Sequence, residues 1–299
     1  MSLVLLVSSS LWASAGQSKP ELKLDGEKIE NLTGLKGKLG VKEGVFKVSQ
    51  PRTDVKVSVD RWTIPPFMGL TSWAAFTLGR KNKLMVMGDL VLFQDEVNPV
   101  MSVLFENGID VTALHNHFFY DDPKVFFMHI SGEGELAGLA GGLRAALDQV
   151  TAIRLTHPSP VKNFDTETIP SVNTISSRPL EAVFGQPGES KDGMFKETIG
   201  RKAQMACGCE AGKDMGVNTW AAFAGSDENA VVDGDFAVTE NELQKVLRSL
   251  RSRNINIVAI HHHMTEEKPR ILFLHYFGRG KAIDLANGVK AALETQALK

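Results

Sequence analysis

The sequence predicts an α+β fold of two homologous repeats. Each has antiparallel strands and helices in a strand-strand-helix-strand-strand-helix core, and the repeats are related by a pseudo-two-fold. Three observations predict it. The same motifs recur in the same order in both halves. Alternating apolar and polar runs come in adjacent pairs, the mark of strands beside strands. Helical periodicity appears between those pairs, which argues for an antiparallel sheet rather than a parallel βαβ array.

The recurrence comes first because it organises everything else. Trp73-Ala-Ala-Phe76 returns as Trp220-Ala-Ala-Phe223, Gly88-Asp89 as Gly234-Asp235, and Glu96 as Glu242. His115–Leu147 aligns without a gap to His261–Leu293 at an offset of 146, with 13 of 33 positions identical, too many for coincidence at fixed spacing. Upstream, Gly44-Val-Phe-Lys47 resembles Gly193-Met-Phe-Lys196, and Arg52 falls opposite Arg201. The repeats are therefore set at 30–150 and 180–296. Residues 151–179, rich in Pro, Ser, Thr and Asn, read as the linker. Two such similar units in one chain imitate a homodimer.

Within the first repeat, 44–49 and 54–59 alternate around Gln50-Pro51-Arg52 and predict a hairpin with Arg52 solvated at its tip. Residues 72–78 and 84–93 read as strands. Gln94-Asp95-Glu96 opens a helix whose Val97, Val100, Met101 and Leu104 keep the i, i+3, i+4, i+7 spacing, stopped by Asn107-Gly108. Two strands follow, 110–119 and 124–130, joined at Tyr120-Asp-Asp-Pro123. A helix with Leu136, Leu139, Ala140, Leu143 and Leu147 on one face closes the unit. The second repeat gives a strand to Asp235, a helix from about Asn241, strands 256–264 and 270–277, and a helix over 281–295. Gly132-Glu-Gly134 and Gly278-Arg-Gly280 lack a full dinucleotide fingerprint and read as tight strand-to-helix turns.

Composition excludes several classes. With 43% hydrophobic and 23% charged residues, the 299-residue chain sits with globular proteins, neither disordered nor membrane-spanning. A net charge of −2 with no long Lys/Arg run argues against nucleic acid as a partner. No stretch beyond the N-terminus is long and apolar enough to span a bilayer. Segment 1–15 runs from an apolar stretch to Ala13-Ser14-Ala15, an A-x-A cleavage pattern, and predicts export to a periplasmic or extracellular location. The two cysteines stand as Cys207-Gly-Cys209 after Met205 and have no counterpart in the first repeat. A disulfide there closes a small strained ring, a soft-metal site would add Met205, and an incidental role is the third reading.

Seven of the eight histidines fall in the repeats. His115 and His117 alternate on a strand, so they share a face. A five-residue loop pairing Phe119 with Val125 would set His129 directly opposite His115. The second repeat supplies His261, His263 and His275, while His262 falls on the other face. Three imidazoles on one face suit a divalent transition metal, Zn, Fe, Mn or Cu. Glu96 and Glu242, at equivalent helix starts, are the candidates for a fourth ligand or general base. Asp89 and Asp235 are placed to accept a hydrogen bond from a ligating histidine.

Several runs resemble a known family. Asn31-Leu-Thr-Gly-Leu-Lys36, Pro65–Phe76, Val86–Val97, Ala113-Leu-His-Asn-His-Phe118 and Ile260-His-His-His-Met264 are similar to the LppY/LpqO family of exported bacterial proteins, built on a duplicated domain of unknown function. The resemblance covers nearly all of the chain after segment 1–15. It implies export and no particular activity. The mycobacterial members are lipoproteins, but no lipobox cysteine stands here, so an anchor is not implied. Two functions stay open on the sequence. One is an exported metal-binding protein, a metallohydrolase or metal-dependent oxygenase. The other is a non-catalytic module for a cell-envelope component or small molecule, with structural histidines.

Overall fold

The structure, a computed structural model, describes residues 24–80 and 83–296. The signal-like segment 1–15 lies outside the described residues. The first repeat contributes α1 (Gly26–Thr33), β1 (Gly37–Gly40), β2 (Val45–Pro51), β3 (Thr71–Leu78), β4 (Leu84–Phe93), α2 (Val97–Glu106), β5 (Asp110–His115), β6 (Val125–Gly134) and α3 (Leu136–Thr156). The second contributes α4 (Ser177–Phe184), β7 (Glu189–Lys191), β8 (Met194–Gly200), β9 (Asn218–Gly225), β10 (Ala230–Thr239), α5 (Glu240–Arg251), β11 (Asn256–His261), β12 (Ile271–Gly280) and α6 (Ala282–Leu293).

These twelve strands form one antiparallel sheet in the order β1-β2-β3-β4-β6-β5-β11-β12-β10-β9-β8-β7. The order reads the same from either edge once the repeats are exchanged. The central contact is antiparallel, Leu114 opposite Ile260. These two residues are equivalent under the 146-residue offset, so the pseudo-two-fold passes through their pair.

Helices cover one face. Leu90, Leu92, Met128 and Ile130 of the first repeat and Phe236, Val238, Leu274 and Tyr276 of the second meet the helices in a single apolar core that runs across both repeats. The opposite face carries two smaller apolar clusters, one per repeat. In the first, Val57, Ile64 and Leu70 cover Val91, Phe93, Val125 and Phe127. In the second, Ala203, Ala211 and Val217 cover Ala237, Ile271 and Phe273. Phe93 and Phe127 are thus enclosed although their strand neighbours face the helices.

Local chemistry sets the element ends. Asp25 caps α1 by accepting the Lys28 N–H at 3.0 Å, and Gly34 ends it with φ 71°. Thr239 and Glu242 form a capping box on α5. Each inner strand carries a bulge, at Thr112 in β5 and Val258 in β11. The other repeat satisfies the backbone beside it. Asn98 of α2 brackets Ile257, accepting its N–H at 2.7 Å and donating to its carbonyl at 3.1 Å. The equivalent Gln244 does the same to Val111, at 3.2 and 2.7 Å.

One expected element is corrected. Residues 44–49 and 54–59 do not form a hairpin. β2 pairs with β1 and β3, whereas Ser58-Val59 joins a separate three-stranded sheet with Trp62-Thr63 and Asp121-Asp122. The chain turns there because Val57 packs over the far face of the sheet and Arg52 turns inward. Helices reach into both ends of the linker expected over 151–179. α3 runs on to Thr156 because Arg154, near its end, is buried against Asp95 and Glu96, and α4 begins at Ser177. The remainder is pinned to both repeats: Val161 to Asp95 and Gln94, and Asn173 to the Gly225 N–H.

Candidate metal centre

The histidines lie on the sheet face away from the helices, between the two outer apolar clusters. The strand register differs from the expected one. His129 stands opposite Ala113, and His115 opposite Phe127. That is a displacement of two residues from the Phe119–Val125 pairing. It arises because β5 ends at His115, where the Asn116 amide turns in to donate to the Val125 carbonyl at 2.6 Å. A two-residue displacement preserves the face, whereas one residue would have reversed it. His115 and His129 therefore meet diagonally, stacked with centroids 5.2 Å apart and planes at 4°. His261 and His275 repeat this at 4.9 Å and 14°.

Each H-x-H pair brings its Nε2 atoms together, 3.2 Å apart for His115 and His117 and 3.1 Å for His261 and His263. Two nitrogens bound at about 2.05 Å to one tetrahedral ion stand about 3.3 Å apart, so both pairs have a chelating spacing. The outer imidazoles are held by stacking, His117 on Phe127 at 3.4 Å and His263 on Phe273 at 3.5 Å between centroids. Sequence reasoning missed these phenylalanines, although Phe127 and Phe273 recur at the repeat offset.

The aspartates stand closer to the chemistry than expected. Asp89 pairs with His129 across β4 and β6, and Asp235 with His275 across β10 and β12. Asp235 Oδ2 lies 3.3 Å from His263 Nε2. Ligand atoms of Asp235, His261 and His263 all lie within 4.8 Å of one another, the one such group among the described residues. His275 is not in it; its Nδ1 is 3.3 Å from the Gly234 carbonyl. In the first repeat His115 and His117 approach each other without Asp89 closing on them to that limit. Among the described residues, Asp89 Oδ1, Asp235 Oδ1 and His261 Nδ1 at this site are buried without a hydrogen-bond partner. Such orphans each cost about 1–3 kcal/mol unless an ion or water meets them.

Electrostatics favour the neutral form of His115, His117 and His261. Burial, with the neighbouring histidines adding to it, lowers the His115 and His117 pKa values and pushes His261 down to about 4. Burial raises Asp89 and Asp235, opposed by the charges of nearby histidines. Neutral imidazole is the form that donates a lone pair to a metal.

Glu96 and Glu242 serve elsewhere. Glu96 is fully buried between Arg52, at 2.8 and 3.0 Å, and Arg154 at 3.0 Å, and it accepts the Phe93 N–H at 2.8 Å. Glu242 is paired with Arg201 and accepts the Thr239 N–H. A carboxylate so saturated has little left for a metal, and the structure does not bring either glutamate into the histidine group. Arg52, expected in solvent, is buried with its guanidinium also on Asp54 and the Val91 carbonyl. Arg52 with Glu96, and Arg201 with Glu242, recurred in the sequence, and that paired recurrence was the available signal. Cys207 and Cys209 are free, exposed thiols, the Cys209 N–H 3.4 Å from Cys207 Sγ.

The two sets are neighbours. Since Leu114 faces Ile260, His115 and His261 flank that pair diagonally, a relation that sets residues about 7–8 Å apart with their Cβ atoms somewhat closer. Ala113 and Ala259, the small residues between them, leave the face open at the pseudo-two-fold.

A family profile described as Domain of Unknown Function (DUF1259) matches residues 27–149 and again 178–295. No curated protein matches the sequence. A crystal structure of a trimeric bacterial microcompartment shell protein PduB aligns with 86% of this chain and 89% of its own, at 12% identity and a TM-score of 0.20. A score that low carries no argument about fold or function. No helix of the described residues is long and apolar enough to cross a membrane.

Proposed function

We propose that this chain, which belongs to the DUF1259 family and carries two copies of its domain, is an exported metal-binding protein of the LppY/LpqO kind. Its stronger centre is in the second repeat. The observation that supports this reading is the convergence of Asp235, His261 and His263 within 4.8 Å. Two imidazoles and one carboxylate, with further positions open, form the set that non-haem Fe(II) oxygenases use, and they equally suit Zn²⁺ with a bound water. The Asp235 carboxylate is then a ligand rather than a partner behind one. Either metal polarises a bound substrate or activates water or oxygen, so the chemistry is that of a metallohydrolase or metal-dependent oxygenase.

His115 and His117 make a weaker second centre, or a hydrogen-bonded pair in which one Nε2–H donates to the other. The latter favours the alternative of a binding module whose first repeat is structural. Metal content after reconstitution of the metal-free protein, measured by mass spectrometry, tests the proposal. Wild type is expected to retain at least one equivalent per chain, and His263→Ala to lose it. Unchanged stoichiometry in His263→Ala, or no retained metal in wild type, overturns it.

A further inference from the structure

The hairpin that covers Phe273 in the second repeat carries both cysteines of the chain at its tip. Its arms pair Ala203 with Ala211 and Gln204 with Glu210. Beyond them, the Met205 N–H donates to the Cys209 carbonyl and the Gly208 N–H to the Met205 carbonyl, each at 2.9 Å. That is the pattern of a three-residue hairpin loop, whose last residue is left-handed, and Gly208 takes that place with φ 80°. Cys207-Gly-Cys209 thus folds as the loop requires, with a thiol on either side of the glycine. The equivalent hairpin of the first repeat pairs Val59 with Trp62 and turns on Asp60 and Arg61 alone.

Both thiols are exposed. They hydrogen-bond each other, and the Cys209 N–H donates to Cys207 Sγ at 3.4 Å. The Cys207 side chain therefore lies back over the loop toward Cys209. Two thiolates bound at about 2.3 Å to one ion stand at most about 4.6 Å apart, a spacing that hydrogen-bonded thiols meet with little rearrangement. The frame beneath them is fixed. Gln204 and Lys268 exchange both backbone hydrogen bonds at 2.8 Å, and Met205 packs on the outer apolar cluster.

The donor set selects the ion. Among the described residues, no imidazole or carboxylate joins the two thiols in a group of three; the one such group is Asp235 with His261 and His263. Structural Zn²⁺ takes four ligands, so the hairpin offers it half a shell. Two thiolates suffice for a soft monovalent ion, which accepts low coordination. A disulfide competes for the pair, but it closes a small strained ring and is readily reduced.

We infer that Cys207 and Cys209 bind a soft monovalent metal ion, Cu(I), as a pair of thiolates. Each thiol gives up its proton as the ion binds, and the Cys209 N–H stays on the Cys207 sulfur. The inference stands apart from the histidine face, whose nitrogen and oxygen donors suit borderline divalent ions.

Reduced full-length wild type and His263→Ala, titrated without oxygen against Cu(I) held by the coloured chelator bathocuproine disulfonate, test it. In both proteins a thiolate-to-copper charge-transfer band in the ultraviolet is expected to saturate at one Cu(I) per chain. Cys207→Ser or Cys209→Ser is expected to weaken that uptake about 10²–10⁴-fold, the worth of a second ligand joined in one molecule. The double variant is expected to lose the band. A band absent from either starting protein, or surviving the double substitution, overturns the site. Displacement of the copper by equimolar Zn²⁺ overturns the choice of ion. Alkylating the thiols of the folded wild type makes the same comparison should a serine variant fail to fold.

Discussion

Glu96 shows how sequence order misleads at the scale of a residue. It stands at a helix start near the histidines in the chain, yet its side chain is fully buried, where Arg52 and Arg154 neutralise it. Removing one member of a buried pair strands the other, at about 3–5 kcal/mol. Glu96→Gln is therefore expected to lower the urea midpoint strongly while leaving metal stoichiometry per folded chain unchanged. A catalytic or ligating glutamate would give the reverse. Glu242 makes the same point through pH. Burial raises its pKa, but the Arg201 hydrogen bond, the Thr239 N–H and the Arg201 charge outweigh that and hold it below 4.5. As pH falls, the unfolded chain takes up this proton first. The stabilisation is thus complete above about pH 4.5 and is lost as pH falls through the folded value. Denaturation across acid pH is expected to show a flatter decline in Glu242→Gln than in wild type. The histidine positions were legible in the sequence because a side-chain alternation of two is stated locally. The arginine partners were not, because Arg52 and Glu96 are 44 residues apart and only packing joins them.

At the scale of elements, the bulges and glycines decide whether the site assembles. Thr112 and Val258 are each an unpaired extra residue, and nothing in their identity announces it. Each shifts the pairing by one on the side away from the histidines, whereas the two-residue displacement at the histidines comes from β5 ending at His115, and the imidazoles kept their face. Gly234 precedes Asp235, and a Cβ there would lie 2.2 Å from the Tyr276 hydroxyl and 2.4 Å from the Trp220 carbonyl. The carbonyl is backbone in a paired strand and cannot give way. Gly234→Ala is expected to cost about 1–3 kcal/mol by overpacking. Because it displaces Asp235, metal affinity should also fall about ten- to hundredfold. Thermal melts and metal titration on the same preparation check both. Gly88 meets the Trp73 carbonyl in the same way at 2.6 Å. The recurring Gly-Asp was visible in the sequence, but its cause, close passage of a neighbouring strand, was not.

At the scale of the molecule, one sheet and one helix-side core serve both repeats. The duplication made two units legible. It did not show that they share a sheet, since inter-repeat pairing leaves no local pattern. A fragment ending at Thr156 would expose β5 as a bare edge and leave the bulge beside Val111 without Gln244. Such a fragment is expected to dimerise through β5 or to aggregate, measured by light scattering. A monomeric, cooperatively folding fragment would refute that expectation.

The Leu114–Ile260 contact has a further consequence. In an assembly of two identical chains, every substitution arrives twice, and both copies of a site must tolerate it together. Here the two halves are joined through a linker, so each inherits its changes alone. The second half has Cys207, Cys209 and the converging Asp235 group, while the first has neither. One half is thus free to drift toward a task while the other preserves the frame. In the laboratory the same independence makes each site the internal control for its neighbour, under one temperature, one solvent and one folding event.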